Sequence, residues 1–312
     1  MQGKLGRLVD ELERVVVGKH DVVEKVIMAL LAGGHILLDD VPGVGKTTLA
    51  VAIGKATGLA YHRVQFTPDV LPSDIVGFSV YNRQTGALEY RPGVLLHTNI
   101  LLGDEINRAS SKTQSALLEA MEEGQLTVDG NTYPLERPFI VIATQNNVGT
   151  AGTQPLPYAQ MDRFLVRLQM GYPDYESQME ILRDRRTGNP LDAVAQIVGR
   201  AEVLAMQQAA QDVVIKDSVL AYITRLAIAT REHPQADLGV SPRGALFVSR
   251  MARARAYLMG RDFAVPEDVQ AVFQDVCAHR VLLTSRARAE RVTARQLLGD
   301  VLTRVAAPDS RA

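Results

Sequence analysis

The chain has 312 residues, 46% of them hydrophobic and 22% charged, with 34 basic against 35 acidic side chains and a net charge of −1. That is the make-up of an ordinary globular protein with room for two domains, and it lacks the basic excess usual in a general nucleic-acid binder. No stretch approaches the roughly 18 to 20 apolar residues of a membrane span, and the single cysteine, Cys277, excludes an internal disulfide and fits a reducing cytoplasm.

In chain order, "MQGKLGRLVDELERVVVG" is interrupted by charges throughout and predicts an amphipathic helix rather than a signal peptide. "HILLDD" (35–40) is a short apolar strand. A glycine loop follows, then "TTLAVAIGKATG", where Leu49 and Ile53 share a helical face and Gly58 is the stop. "HRVQF" (62–66) and "NILLGDE" (99–105) predict the second and third strands, and "TQSALLEAMEEG" (113–124) a helix. "PFIVIATQN" (138–146) and "FLVRLQM" (164–170) are the fourth and fifth strands. Continuous apolar strands alternating with helices imply a parallel sheet covered on both faces. Two insertions break the rhythm and predict β-hairpins: 74–93, around Gln84-Thr85-Gly86, and 124–138, turning at Asp129-Gly130-Asn131. From about Tyr175 strand signals vanish. Helices are predicted over 175–186, 198–210, 216–232, 243–259, 266–281 and 291–305, with Pro266 suited to a first turn. The expected division is an α/β core over 1–175 and an all-α domain over 176–312.

The glycine loop lies between a strand and a helix, where backbone N–H groups can converge on phosphate. In "VPGVGKTT" (41–48), Gly43 and Gly45 permit close approach, Lys46 offers a cation to the outer phosphates, and Thr47 offers a hydroxyl to Mg²⁺. Pro42, Val44 and Thr48 complete the loop. The G-x-x-x-x-G-K-[ST] pattern calls for glycine at position 40, where this chain has Asp40. That residue sits at the strand end, before the cradle, so its carboxylate can point away from phosphate. "ILLGDEINRA" places Asp104 and Glu105 at the end of a strand expected beside the loop's own. In such sites the Asp holds Mg²⁺, directly or through water, and the Glu polarises the attacking water. Loop and acidic pair together predict an ATP hydrolysis site.

The order of these motifs resembles the AAA+ ATPases and, within them, the MoxR family. "FTPDVLPSDIVG" (66–77), "LLGDEINRASSKTQSALLEAMEEGQLTVDG" (101–130), "VIATQN" (141–146), "PLPYAQMDRFLVRL" (155–168) and "SPRGAL" (241–246) are similar to that family phrase by phrase, over nearly the whole chain. The resemblance implies a P-loop core followed by a helical lid. It assigns Asn146 as the first sensor, touching the γ-phosphate or its water, and Arg163 as an arginine finger reaching a neighbouring subunit. It also assigns Arg243 as the second sensor and puts Val17 and Gly18 in the adenine pocket. The two hairpins match the helix-2 insert and the pre-sensor hairpin of the clade. Asp40 and the "TQNNVGTAGTQPLP" wording after the sensor depart from the usual family phrasing.

Taken alone, several of these residues have plainer readings. Asn146 could cap a loop, Arg163 could pair with the adjacent Asp162 at the surface, and Arg243 could simply start a helix. Arg108 and Lys112 could line a subunit interface but read more simply as a solvated helix face, and the six histidines show no recurrent metal-ligand spacing. The resemblance further implies a cytoplasmic ring, taken as a hexamer, working as a chaperone-like motor. It would remodel a client protein or assist its metal or cofactor insertion, with a von Willebrand factor A domain protein as adaptor. A magnesium-chelatase-like subunit shares most of the motifs and remains an alternative. A nucleic-acid motor should present Lys or Arg on its hairpin, yet 124–136 carries Asp129 and Glu136 and no basic residue. A small-molecule kinase would need neither Arg163 nor Arg243.

Overall fold

The computed structural model describes residues 2–145, 156–186 and 188–308. Helices α1 (Gln2–Glu13) and α2 (His20–Leu31) lead into β1 (Ile36–Asp39), and α3 (Lys46–Thr57) follows the glycine loop. Next come β2 (Tyr61–Gln65), α4 (Pro72–Val76), the hairpin β3 (Gly77–Asn82) and β4 (Ala87–Pro92), β5 (Ile100–Asp104) and α5 (Ser111–Glu123). The second hairpin, β6 (Gln125–Val128) and β7 (Asn131–Pro134), precedes β8 (Ile140–Gln145), α6 (Tyr158–Met161) and β9 (Val166–Leu168). Beyond it lie α7 (Tyr175–Asp184), α8 (Arg200–Gln211), α9 (Asp217–Arg231), α10 (Pro242–Leu258), α11 (Pro266–Cys277), α12 (Ser285–Ala289) and α13 (Ala294–Arg304).

Five strands form one parallel sheet in the order β2-β5-β8-β1-β9. Successive side chains enter opposite cores, as the period of two requires. Ile36, Leu38, Ile100, Leu102, Ile140 and Ile142 face one apolar cluster; Leu37, Leu101, Val141 and Ala143 face the other. This is why the strands read as unbroken apolar runs. The first cluster continues from α1 and α2 into the C-terminal helices, through Leu5, Leu12, Met206, Tyr222, Val248 and Val276.

Both hairpins form where the turn residues place them. Asp129 and Gly130 have φ of 50° and 79°, the two positive values of a type I′ turn, so Asn131 opens β7 instead of completing the turn. In the other hairpin, Asn82 Oδ1 accepts the amides of Gln84 and Thr85 at 2.8 and 3.3 Å. At its base the chains nearly touch: a Cβ on Gly93 would lie 2.5 Å from both Gly77 N and Ile75 O.

The C-terminal region is not wholly helical. Residues Ala236–Leu238 and Leu282–Leu283 pair as a small antiparallel ladder. Strands of two and three residues are too short for any period to register. The helix expected over 266–281 stops at Cys277 and tightens into a 3-10 turn, Ala278–Arg280.

Candidate nucleotide site and a second arginine site

The glycine loop joins the C-terminal end of β1 to α3. Gly43 and Gly45 adopt φ of 84° and 99°, which a side chain would strain, and a Cβ on Gly43 would meet nothing within 4 Å. Gly45 caps α3 without any side-chain hydrogen bond, so the first-turn N–H groups, which have no intrahelical acceptor, face outward at the positive end of the helix. Beside the loop lies a cavity of about 330 Å³, lined by Val15, Val16, Val17, Gly43, Val44, Gly45, Thr48, Tyr172 and Ile181 among others. Apolar walls next to an anion cradle fit a nucleotide. Val17 is part of that lining; Gly18 is not, and packs so closely on α7 that a Cβ would sit 2.0 Å from Ser177 Oγ. Pro42 is exposed within the loop.

Lys46 is buried, and its Nζ donates to Asp40 O at 3.0 Å. Burial lowers its pKa, against the opposing pull of Asp40, Asp104, Asp39 and Glu105. Asp40 itself turns away from the cradle. Its Oδ1 accepts from Val41 N at 2.8 Å, and its Oδ2 accepts from Met170 N and, at 2.7 Å, from Gly171 N. The carboxylate at the missing-glycine position thus staples the loop to the segment leaving β9.

Asp104 ends β5, next to β8 in the sheet, with β8 adjoining β1. Thr144 Oγ1 donates to its Oδ1 at 2.6 Å, and Arg63 of β2 pairs with its Oδ2 at 2.7 Å. Glu105 follows in a left-handed conformation, φ 56°, which costs a residue with a side chain of the order of 1 kcal/mol or more. Its amide donates to Thr144 Oγ1 at 2.9 Å, while its Oε2 accepts from Gln65 at 3.1 Å and from Arg108 at 2.8 Å. Arg108 is exposed, as a solvated helix face requires, and also pairs with Glu105. Thr47, in the first turn of α3, and Asp104 provide a hydroxyl and a carboxylate, the hard oxygen donors that suit Mg²⁺. Among the described residues no cluster of three or more His, Cys, Asp or Glu could hold a metal, so such an ion would complete its shell with phosphate and water oxygens.

The two arginines lie elsewhere. Arg163 precedes β9, and Arg243 opens α10 behind the cap of Ser241. Both converge on Glu122 in the last turn of α5: Arg163 Nε is 2.9 Å from Oε2, and Arg243 Nη2 pairs with Oε1. They line a second cavity of about 360 Å³, together with Gly33, Gly34 and His35, which precede β1. Loop and acidic pair sit at the C-terminal ends of the parallel strands; the arginines sit at the N-terminal ends. Asn146 lies outside the described residues.

Residues 35–166 match the pattern of the ATPase family associated with various cellular activities (AAA), and residues 228–301 match an AAA lid domain. The chain is 38% identical to chaperone MoxR1 of Mycobacterium tuberculosis over 99% of its own length and 83% of that protein. This is a MoxR-type AAA+ ATPase. It is also 45% identical to the uncharacterized protein YeaC of Bacillus subtilis, across 98% of this chain and 96% of that one. A crystal structure from Cytophaga hutchinsonii, of a protein provisionally described as an ATPase, superposes with a TM-score of 0.91 at 39% identity, over 99% and 96% of the two chains.

In this MoxR-type chain the reading of Arg163 as a surface partner of Asp162 does not hold. Asp162 instead accepts Nε of Arg280, a fully buried guanidinium, at 2.8 Å and the hydroxyl of Ser241 at 3.2 Å. Arg280 also donates to the carbonyls of Asp162, Phe164 and Val276, tying α11 to the segment that bears Arg163. Sequence reasoning missed Arg280, Gln65, Arg63 and Glu122. Only Glu122 left a local signal: acidic residues at a helix C-terminus oppose the macrodipole and call for cationic partners.

Proposed function

We propose that this chain hydrolyses ATP as one subunit of a ring whose active sites are completed by the neighbouring subunit. The separation of the two half-sites carries this reading. From Ser111 to Glu122, α5 rises about 17 Å at 1.5 Å per residue, and His35 pins its far end, its Nε2 donating to Met121 O at 3.0 Å. Arg163 and Arg243, anchored on Glu122, are thus too far away to serve the loop of their own chain. A neighbour's loop is the substrate they fit.

Within the site, backbone amides of the Gly43–Thr48 loop and Lys46 would grip the phosphates. Val17 and its neighbours would enclose the base. Thr47 and Asp104 would hold Mg²⁺, which supplies charge neutralisation on the phosphate oxygens. Glu105 would take the proton from the attacking water, with Asn146 orienting that water. Arg163 and Arg243, from the next subunit, would offset charge developing on the terminal phosphate, an effect worth on the order of 10³ to 10⁵ in rate in other P-loop enzymes.

The MoxR relatives, one of them described as a chaperone, support a chaperone-like role. We read the ring as a cytoplasmic hexamer that remodels a client or assists its metal or cofactor insertion through a von Willebrand factor A domain adaptor. The core-and-lid division near residue 175 belongs to this proposal. The test is complementation. Arg163→Ala should bind ATP normally yet hydrolyse it slowly, and so should Glu105→Gln. Co-assembled, the two variants should regain activity wherever an Arg163→Ala site meets an intact finger. Mixed rings as inactive as their parents would end the trans reading.

A further inference from the structure

Arg163 and Arg243 belong to different parts of the chain, 80 residues apart in sequence, yet they meet on one carboxylate. Glu122 forms an ion pair with Arg163, whose Nε comes within 2.9 Å without the alignment of a hydrogen bond, and pairs with Arg243 through a terminal nitrogen. Both arginines, each ending in an Nη1/Nη2 fork, line the cavity. A guanidinium binds phosphate through such a fork. The three side chains are only 31 to 39% exposed, so the cluster is half-sheltered and open on one side. Without Glu122 the two guanidinium charges would repel each other and each would lose its fixed partner.

Glu122 is itself held. It sits on the last turn of α5, whose Met121 carbonyl accepts from the buried His35; the other ring nitrogen of His35 accepts Val141 N at 3.0 Å. The last turn of α5, which carries Glu122, is therefore tied to the sheet. Arg163 is fixed to the C-terminal helices through Asp162 and Arg280, and Arg243 through the Ser241 cap that also reaches Asp162. The geometry points to Glu122 as a positioning residue for catalysis in the neighbouring subunit: it aims both arginines outward as a preformed anion clamp. This rests on the trans reading proposed above.

The test uses the full chain. Glu122→Gln keeps the side chain's size and one acceptor but presents an amide N–H₂ to the second guanidinium, so one arginine is released. Misplacement of about 1 Å at such a group can cost on the order of 100-fold. We expect kcat per subunit to fall about 10- to 100-fold, with ATP affinity and ring assembly unchanged. Mixed with Glu105→Gln, it should regain activity, because its own loop and base are intact and the partner brings an oriented finger. Mixed with Arg163→Ala it should stay slow, because the two lesions lie on the same half-site. If Glu122→Gln fails to fold, Glu122→Asp, which withdraws the carboxylate by one methylene, is put through the same two mixtures with the same expectations. Turnover within about twofold of the parent, or faster, overturns the assignment. So does a slow variant that Glu105→Gln does not rescue, provided that Arg163→Ala and Glu105→Gln rescue each other. Failure of that last pair would instead strike the trans reading itself.

Discussion

Restoring glycine at position 40 should weaken the protein without improving its nucleotide site. Asp40 accepts three backbone N–H groups, from Val41, Met170 and Gly171. A hydrogen bond to a charged acceptor contributes about 1.5 to 3 kcal/mol, and water can reclaim part of that at this half-buried position. The added backbone freedom of glycine contributes up to a further ~1 kcal/mol. Asp40→Gly should therefore cost about 2 to 4 kcal/mol, which lowers the melting temperature of a chain this size by roughly 3 to 6 °C. The damage should centre on the Met170–Gly171 segment and show there as faster amide exchange. ATP affinity should stay within about tenfold, or 1.4 kcal/mol, since both carboxylate oxygens are occupied by the amides of Val41, Met170 and Gly171. Thermal denaturation and calorimetric titration with ATP read the two quantities independently. An unchanged melting temperature, or a more than tenfold gain in affinity, would refute this account and make Asp40 an electrostatic opponent of phosphate.

Lys46→Ala should abolish tight ATP binding, because the only basic side chain on the loop is removed; near-normal affinity by titration would displace the site from the loop. His35, a buried residue, has its pKa lowered by burial from 6.5 to about 4. Its stabilising contribution is complete above pH 6.5, the unfolded value, and is lost as pH falls toward 4, for a total of about 3 kcal/mol. His35→Gln, which cannot titrate, should flatten the denaturation midpoint over that window. Identical wild-type and variant slopes would clear His35 of the effect.

The sheet was legible because each central strand is apolar on both faces, so Ile36–Asp39 and Ile140–Gln145 announce themselves by composition alone. The loop and Asp104-Glu105 were legible because phosphate and Mg²⁺ chemistry demands those residue types at strand ends. The Asp129-Gly130 turn was legible because few other residues tolerate its dihedrals. Partnerships across the chain were not. Arg243 and Glu122 are 121 residues apart, Arg280 and Asp162 are 118 apart, and no local period links them. Arg63 and Gln65 lie on an edge strand whose exposed residues gave no hint that they face Asp104 and Glu105. The plainer reading of Arg163 failed for the same reason: adjacency in sequence put Asp162 beside it, while the fold gave Asp162 to Arg280.

Three departures from the ordinary rules of stability lie at the two ends of the sheet. Glu105 occupies a left-handed backbone conformation at the C-terminal end. At the N-terminal end, Glu122 and Glu123 close α5 against its own dipole, and Arg280 is buried completely. Each feature is costly alone: strain for the first, repulsion for the second, desolvation for the third. Each is also compensated by groups that meet in one of the two half-sites: Thr144 and Arg108 hold Glu105, Arg163 and Arg243 neutralise Glu122, and Asp162 receives Arg280. Stability alone would not ask for them. A lysine at position 122 would suit the helix end better, and an apolar side chain at 280 would suit the core. Local rules that fail together where reactive groups gather are the mark of a site that constrains the sequence. Here there are two such places, about one helix length apart, the arrangement that the proposed trans reading requires.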